Sequence, residues 1–309
     1  KVYSVLPADG VGDFDFSRSG QATRVNEDGL IETVGSNIPR LNYPMIDGVV
    51  SGCPSLLLEP QRTNVLPYSE DFSDAYWNKS GASITSNSII SPDGTLNADK
   101  LVGDTGTGTH YLSSIFNGAS TDINYTFSVF AKAGEEDVLA YRDSTYGQVS
   151  LFNLTNGTVV SGANHTSSII AYGNGWYKCV TTNINSFANI EIRLSPREYT
   201  SYTGNGTSGV YIWGAQLEEG SYATSYIPTS GSIGTRDADV CNNGGNEQVF
   251  NDSEGVLYIE TSALANDLTD RWITLCEGAN PLNNQINFRY TSATNLVQFV
   301  SRANLIQDV

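Results

Sequence analysis

The sequence is poor in cysteine and histidine, and these shortages argue against two classes of catalytic or metal site. Its four cysteines form no C-x-x-C pair and have no histidine neighbours at zinc-ligand spacing, so no zinc site is expected. The two histidines, His110 and His165, lie in polar stretches typical of loops, and the chain has no G-x-S-x-G sequence. A Ser-His-Asp hydrolase is therefore not expected.

Positive charge is also scarce. Lys and Arg number 16 against 33 Asp and Glu, which gives a formal net charge of −17 with no basic run. Because nucleic-acid binding needs clustered Lys and Arg, we expect no nucleic-acid partner. No apolar run reaches about 18 residues, so no membrane insertion is expected. The acidity is interpreted as keeping a large assembly soluble, the alternative being that some carboxylates bind Ca²⁺.

The sequence is instead rich in Gly, Tyr and small polar residues, and its dominant pattern is period-2 alternation. Tyr125–Lys132 and Asn189–Ser195 alternate apolar and polar residues. Gly209–Leu217 is apolar on both faces, which favours a central or doubly covered strand. Short strands separated by Gly, Asn and Asp turns predict an all-β fold, a β-sandwich or jelly roll.

Four regions follow from this pattern. Residues 1–57 are turn-rich and predict an irregular, β-rich attachment segment that leans on a neighbouring domain or subunit. Residues 58–236 hold enough strands for one sandwich, with eight to ten expected. Residues 237–246 are a polar, Gly-rich linker, and residues 247–309 begin a second β-pattern. Four or five strands over about 60 residues are marginal for an independent sandwich, so we expect this last domain to be incomplete.

Several phrases carry a resemblance to a known module. These are Ser55–Asn64 (SLLLEPQRTN), Tyr68–Trp77 (YSEDFSDAYW), Asp13–Ala22, Asn37–Tyr43, Ser91–Leu101, Gly175–Lys178, and the block from Ile212 to Pro228 containing WGAQLEEGSYATSYIP. Over residues 3–241 the chain resembles a module of tailed-phage virion proteins that is similar to carbohydrate-binding jelly rolls. Residues 254–309 more weakly resemble the opening of a laminin G or concanavalin A-like sandwich.

The resemblance implies a bacteriophage virion protein, a tail fibre, head fibre, spike or appendage subunit on the virion exterior that is assembled in the host cytoplasm. It implies host cell-surface carbohydrate and other virion proteins as partners, and a homo-oligomer with a trimer favoured. It also implies that SLLLEPQRTN and WGAQLEEG are neighbours in space.

No cofactor is required by this interpretation, but the jelly rolls it invokes often hold a structural Ca²⁺ between their first and last strands. Glu70 and Asp71 at the start, with Glu218 near the end, are the metal ligands that the resemblance implies; Gln216 and Glu219 lie beside them. The alternative is that these are solvated turn carboxylates.

Sugar recognition needs exposed aromatic rings beside polar groups, because pyranose C–H faces stack on rings. Tyrosines near Gly, Asp, Asn or Thr are the candidates, namely Tyr111, Tyr141, Tyr146, Tyr199 and Tyr202. Of these we select Tyr111, Tyr141, Tyr199 and Tyr202 as carbohydrate-binding residues. The alternative is that they cover core or intersubunit surface. Trp77, Trp176, Trp213 and Trp272 are assigned to core packing.

Neighbouring carboxylates such as Glu218 and Glu219 point to opposite faces of a strand, so they do not form an acid–base pair. We therefore predict that the chain is not an enzyme. A glycan hydrolase or lyase that uses the module for targeting, and a structural decoration protein without a ligand, remain the alternatives. Arg62, which follows Pro60, is predicted to form a buried bidentate pair with a carboxylate.

Overall fold

The computed structural model describes residues 14–50, 52–120, 123–143, 147–184, 190–244, 254, 258–276, 285–293 and 296–302. The chain divides into two compact units, Lys1–Glu254 and Gly255–Val309. Within the described residues there is no helix long and apolar enough to cross a membrane. Regular structure in these ranges is β-strand, which confirms the predicted all-β class.

The strands of the first unit up to residue 64 are short: β1 Asp15–Ser17, β2 Ala22–Val25, β3 Ile31–Val34, β4 Leu41–Asn42, β5 Met45–Ile46, β6 Val49–Val50, β7 Ser55–Leu56 and β8 Arg62–Asn64. The following strands are β9 Asn78–Ser80, β10 Ala82–Ile90, β11 Leu96–Gly103, β12 Thr107–Gly108, β13 Tyr111–Phe116, β14 Tyr125–Ala133, β15 Val138–Asp143, β16 Val149–Asn153, β17 Thr158–Val160, β18 Thr166–Ala171, β19 Trp176–Ile184, β20 Ile190–Ser195, β21 Tyr202–Thr203, β22 Gly209–Glu219, β23 Gly234–Arg236 and β24 Val240–Asn242. The second unit has β25 Arg271–Cys276, β26 Gln285–Tyr290 and β27 Val297–Arg302.

Two six-stranded antiparallel sheets form the body of the first unit. The front sheet has the order β17-β16-β15-β20-β13-β9, and the back sheet has the order β10-β11-β22-β14-β19-β18. Side chains from both sheets meet in one core cluster, so the sheets pack face to face as a β-sandwich. The predicted sandwich is therefore confirmed, with twelve strands in the two sheets where eight to ten were expected.

The main core is built by strand alternation. Leu112 and Ile192 of the front sheet and Val129 and Leu217 of the back sheet are all buried in it. Because successive side chains on a strand point to opposite faces, the neighbours of these residues point outward. The alternation predicted for the strands that contain Phe127 and Ile192 is confirmed, since both residues lie in the main core.

A β-bulge at Gly214 lets the central strand β22 contribute to the main core along its length. The register with β14 shifts there, and Gly214 has a φ of 64°, which glycine adopts without steric cost. The shift changes which face alternate residues point to, so Ile212 and Leu217 both enter the main core. Trp213 between them points to the opposite face of the sheet, as the two-sided apolar pattern predicted.

A second core lies on the outer face of the back sheet and includes the N-terminal segment. Ile31 of β3 packs there with Phe130, Trp176 and Trp213, all buried. Trp77 lies in the main core, so the core packing predicted for these three tryptophans is confirmed. The N-terminal hairpin β2–β3 therefore packs against the sandwich of its own chain.

Buried ion pairs join the same segment to the sandwich. Arg40 contacts Glu59 at 2.7 Å, Arg236 contacts Glu59 at 3.2 Å, and Arg18 contacts Asp239 at 3.0 Å; Arg40 also pairs with Asp239. These five residues, here the arginine–carboxylate network, have side chains at most 3% exposed. Burial alone would raise the pKa of Glu59, but the charges of Arg236 and Arg40 outweigh it and lower that pKa.

The segment SLLLEPQRTN, residues 55–64, lies beside the end of the central strand β22, as predicted. Asn64 donates to the carbonyl of Ala215 at 3.1 Å and accepts from the backbone N–H of Leu217 at 3.1 Å. The backbone N–H of Val65 also donates to the carbonyl of Leu217. SLLLEPQRTN and WGAQLEEG are thus hydrogen-bonded neighbours.

The bidentate pair predicted for Arg62 is wrong. Arg62 makes one long ion pair with Glu218, at 3.8 Å, and its guanidinium lies 5.3 Å from the ring centre of Tyr222. The buried ion pairs at this junction belong to Arg40 and Arg236 instead.

None of the four cysteines, all of which lie in described residues, forms a disulfide. Cys179 is buried in the main core, and burial raises its pKa. Cys53 is exposed and forms no disulfide with Cys241.

The second unit contains an antiparallel sheet of order β25-β26-β27. Ile273, Phe288 and Phe299 lie opposite one another across its three strands. Trp272 is 52% exposed, so its assignment to core packing is wrong. The short apolar run WITLC indicated a buried strand, but the described sheet leaves much of it on the surface.

Candidate functional site

The outer face of the front sheet carries tyrosine and arginine side chains on adjacent strands. Tyr111 on β13, Arg193 on β20 and Arg142 on β15 each flank a residue of the main core. Alternation therefore sends all three side chains outward. Since β20 lies between β13 and β15, they share one surface.

Tyr199 joins them from the loop after β20. Its ring centre lies 5.8 Å from that of Tyr111, with the planes at 44°. The Arg193 guanidinium lies 4.8 Å from the Tyr111 ring centre, and the Arg142 guanidinium lies 5.2 Å from that of Tyr199. Arg193 also donates to the Tyr199 hydroxyl at 3.0 Å and to Glu191 at 2.8 Å. We call these five residues the Tyr–Arg cluster.

The charge in this cluster is fixed. The hydrogen bond to Glu191 raises the pKa of Arg193 despite partial burial, and the bond to Tyr199 adds to the effect. The side chains of Arg193 and Glu191 are 23% and 21% exposed, so solvent still reaches them. The cluster therefore presents permanent guanidinium groups at the surface, held by two rings.

Tyr202, the third predicted tyrosine of this region, lies at a different place. Its ring packs on His110 with centres 4.3 Å apart, and the Arg197 guanidinium lies 5.0 Å from its ring centre. Together with Glu136 and Gly103, Tyr202 and Arg197 line a cavity of about 80 Å³. Burial, then the nearby charge of Glu136, raises the pKa of Tyr202. This space holds a few waters but is far smaller than a sugar site of ordinary size.

Tyr141 has to be removed from the predicted carbohydrate-binding set. Its ring is fully buried and stacks on Phe127 with centres 5.2 Å apart inside the main core. A ring enclosed between two sheets cannot contact a glycan. Tyr146 lies outside the described residues. The structure thus brings together Tyr111 and Tyr199, and separates them from Tyr202 and Tyr141.

Glu70 and Asp71 of the predicted calcium set are engaged in local hydrogen bonds. Glu70 accepts from the Tyr226 hydroxyl at 2.7 Å and from the Asn97 amide at 3.0 Å. Burial raises the pKa of Glu70, against these bonds. Asp71 accepts from the backbone N–H and hydroxyl of Ser73 and so closes its own turn.

Glu218, the third member, is fully buried and also occupied. Its two oxygens accept from the backbone N–H and hydroxyl of Thr224, at 2.9 and 2.7 Å, and from the Gln216 amide at 2.6 Å. Within the part of the chain that the structure describes, no three His, Cys, Asp or Glu side chains form a group able to hold a metal. The predicted set Glu70, Asp71 and Glu218 is therefore not assembled.

Sequence reasoning did not foresee that His165 meets a serine and an aspartate. Its two ring nitrogens lie 3.5 Å from the Ser150 hydroxyl and 3.5 Å from the Asp143 carboxylate. All three side chains are buried, and the Ser150 hydroxyl also contacts Ser167. Catalysis at Ser150 would need a path for substrate into the sandwich, so we assign this trio to core polar packing.

The second unit has a larger cavity of about 360 Å³. Arg271 on its wall makes two parallel bonds to Asp267, at 2.8 and 2.9 Å. Burial alone would raise the pKa of Asp267, but the bonds from Arg271 outweigh it and lower that pKa. The charges on this wall are thus paired with each other.

No family model and no curated protein matches this chain. Among solved structures it is similar to the enzymatically active domain of tailspike protein 4 of bacteriophage CBA120, with 12% identity and a TM-score of 0.32. The match covers 50% of this chain and 21% of that chain. At this TM-score the likeness establishes no shared fold.

This comparison corrects one prediction. The chain was predicted not to be an enzyme, yet the solved structure to which it is similar is titled an enzymatically active domain. The prediction is therefore withdrawn. The missing sequence motifs on which it relied exclude particular arrangements of residues and do not exclude catalysis as such.

Proposed function

We propose that this chain is a tailed-phage virion protein, a fibre, spike or appendage subunit, that displays its sandwich to recognise glycan on the host surface. The Tyr–Arg cluster carries the proposal. It is a surface group of two aromatic rings and three charged side chains, four of which stand on strands of one sheet and the fifth, Tyr199, on the loop after β20. It contains two tyrosines that the sequence had indicated. Sites built on strands hold side chains more precisely than sites on loops.

The resemblance of residues 3–241 to virion modules supports the same function. The strongly acidic composition suits a protein packed at high density in a particle, because like charge keeps assemblies soluble. We extend the proposal to a homo-oligomer, with a trimer favoured, that contacts other virion proteins on the virion exterior. Several weak sites in one particle would bind a cell surface tightly through avidity.

The test is binding of the purified chain to a panel of bacterial strains. We expect the double substitution Tyr111→Ala and Tyr199→Ala to lower binding to a responsive strain about tenfold or more, since buried aromatic contacts dominate many interfaces. Tyr258→Ala is the matched control, because Tyr258 is 78% exposed and lies in the other unit. Equal binding by the double variant and the control would contradict the assignment of the site.

The location and the activity need separate measurements. Antibody labelling of intact particles should place the chain on their outer surface. If the antibody labels only free protein, the virion part of the proposal is wrong. The same strains should be assayed for release of reducing ends by the chain. Release would show that the displayed sandwich belongs to a glycan-degrading protein.

A further inference from the structure

We propose that the Tyr–Arg cluster is specific for an acidic glycan, one whose sugars carry an anionic oxygen group such as a carboxylate or a phosphate ester. The inference rests on the proposed function and adds the chemical class of the ligand. It concerns Tyr111, Arg142, Glu191, Arg193 and Tyr199.

The first argument is what covers the rings. A neutral pyranose stacks its C–H face on a free aromatic face. Here a guanidinium lies over each ring, Arg193 on Tyr111 and Arg142 on Tyr199. The rings therefore position the arginines, and the groups offered to a ligand are guanidinium N–H donors as well as ring edges.

The second argument is the number of N–H donors. A guanidinium carries five N–H groups in a planar fork that matches a carboxylate or a phosphate. Arg193 uses Nε on Glu191 and one Nη1 hydrogen on the Tyr199 hydroxyl. Three of its five N–H groups remain, two on Nη2 and one on Nη1, and an anion of the ligand can accept them.

The third argument is charge. In the described part of the chain, Arg142 forms a ring contact and no ion pair with a carboxylate. Two guanidinium groups against the one carboxylate of Glu191 leave the cluster positive in a protein of net charge −17. Such a protein repels polyanions in general, so an acidic ligand is favoured where positive groups stand together on its surface, as they do in this cluster.

The neighbouring surface fits the carbon skeleton of a sugar. Ile115 lies directly opposite Glu191 on the next strand and is 51% exposed. An apolar side chain beside two arginine forks offers a surface for C–H groups while the forks bind the acid. This combination separates an acidic sugar from a free inorganic anion, which would gain nothing from Ile115.

The experiment uses a panel of bacterial surface polysaccharides, each immobilised in three forms. One form is native, one has its carboxyl groups reduced to alcohols, and one has its phosphate esters removed by hydrofluoric acid. Binding of the intact chain is measured on all three. We expect the chain to bind at least one native acidic member and to lose about tenfold or more affinity when that member's anionic group is removed.

Substitutions in the chain test the same point from the protein side. We expect Arg193→Lys, which keeps the charge but loses the fork, and Arg142→Gln each to weaken binding to the native form about tenfold. Arg24→Gln is the control; it removes one charge from a partly exposed pair with Glu32 on another part of the surface. Thermal melting curves establish that each variant is folded.

The outcomes separate the two proposals. Binding that survives both chemical treatments unchanged, or that neither arginine substitution weakens, overturns the acidic specificity and leaves glycan recognition standing. Binding to no member of the panel overturns the proposed function, and the specificity with it. Binding that falls with carboxyl reduction identifies an acidic sugar, and binding that falls with hydrofluoric acid identifies a phosphate ester.

Discussion

At the scale of single residues, Arg40 is a buried positive charge that depends on two carboxylates. It is fully buried and contacts both Glu59 and Asp239. Removing one partner of a buried ion pair costs about 3–5 kcal/mol because the opposite charge is left unpaired in a low-dielectric interior. We expect Arg40→Met to lower the free energy of unfolding of the first unit by that amount, measured by urea denaturation.

The matched control is Arg24→Met. Arg24 and Glu32 are also an arginine–carboxylate pair, at 2.6 Å, but their side chains are 26% and 36% exposed. Solvent screening limits such a pair to about 0–1 kcal/mol. A loss for Arg40→Met no larger than for Arg24→Met would show that burial does not set the strength of the network.

The lowered pKa of Glu59 predicts that the fold loses stability in acid. Burial would raise the pKa of Glu59 above its ordinary value of 4.5, but the charges of Arg236 and Arg40 lower it. Its stabilising contribution is therefore complete above about pH 4.5 and is lost as the pH falls through the lower, folded-state pKa. We expect the free energy of unfolding to fall as the pH drops below about 4.5. In Glu59→Gln the fall should be shallower, and an equally steep fall in urea titrations at each pH would contradict this account.

The candidate site shows what residue-level reasoning can reach. Tyr111 and Tyr199 were selected for their polar surroundings, and they do meet on one face. Tyr141 was selected on the same ground and lies in the core. In VLAYRD, Leu139, Tyr141 and Asp143 share one alternating set. The sheet turns this set inward, and Asp143 lies in the interior, 3.5 Å from His165.

At the scale of elements, strands β11 and β22 lie so close together at Gly209 that a side chain would collide with the backbone there. A Cβ added to Gly209 would lie 2.1 Å from the carbonyl oxygen of Leu101 on the neighbouring strand β11. Backbone cannot move away without breaking the ladder, so Gly209→Ala should destabilise the first unit by about 1–3 kcal/mol. Urea unfolding monitored by circular dichroism measures this.

Gly108→Ala provides the comparison for that substitution. Gly108 lies in β12 and has no heavy atom within 4 Å of the position that a Cβ would take. We expect a change of less than about 1 kcal/mol, in either direction. If Gly209→Ala and Gly108→Ala were equally stable, the close approach of β22 to β11 at Gly209 would not constrain the fold.

Strand β22 also shows why elements are predicted only in part. The apolar phrase GVYIWGAQL correctly indicated a central, doubly covered strand. Alternation alone would place Ile212 and Leu217 on opposite faces, and only the bulge at Gly214 puts them on the same one. A glycine within a strand pattern is consistent with a bulge, but its register depends on the neighbouring strand β14, which the phrase itself does not contain.

At the scale of the whole molecule, the N-terminal segment is part of the folded sandwich unit. Ile31 is buried in the second core, so Ile31→Ala should cost about 2–4 kcal/mol through lost burial and a cavity. Ile46 on the same segment is 61% exposed, and Ile46→Ala should change stability by less than about 0.5 kcal/mol. Comparable urea midpoints for the two variants would mean that the segment does not dock on the sandwich.

The sequence predicts that residues 1–57 are an attachment segment that packs on a neighbouring domain or subunit. In the structure, Ile31 of this segment packs on the chain's own back sheet. The segment alone does not indicate this neighbour, because its strands are only two to four residues long. The surface that receives them is built by β14, β19 and β22, which lie far along the chain. Long-range packing decided the position, as it does for most short strands.

The arginine–carboxylate network has a consequence for the order in which the protein is made. Arg18 and Arg40 precede Asp239 by 221 and 199 residues. At about 5–20 residues per second, a ribosome needs roughly 10–40 seconds to cover that distance. Until then the nascent chain lacks Asp239, and for most of that time it also lacks the central strand β22. We expect the segment that leaves the ribosome first to be among the last to settle, and a pause in translation before residue 209 to prolong its exposure to chaperones and proteases.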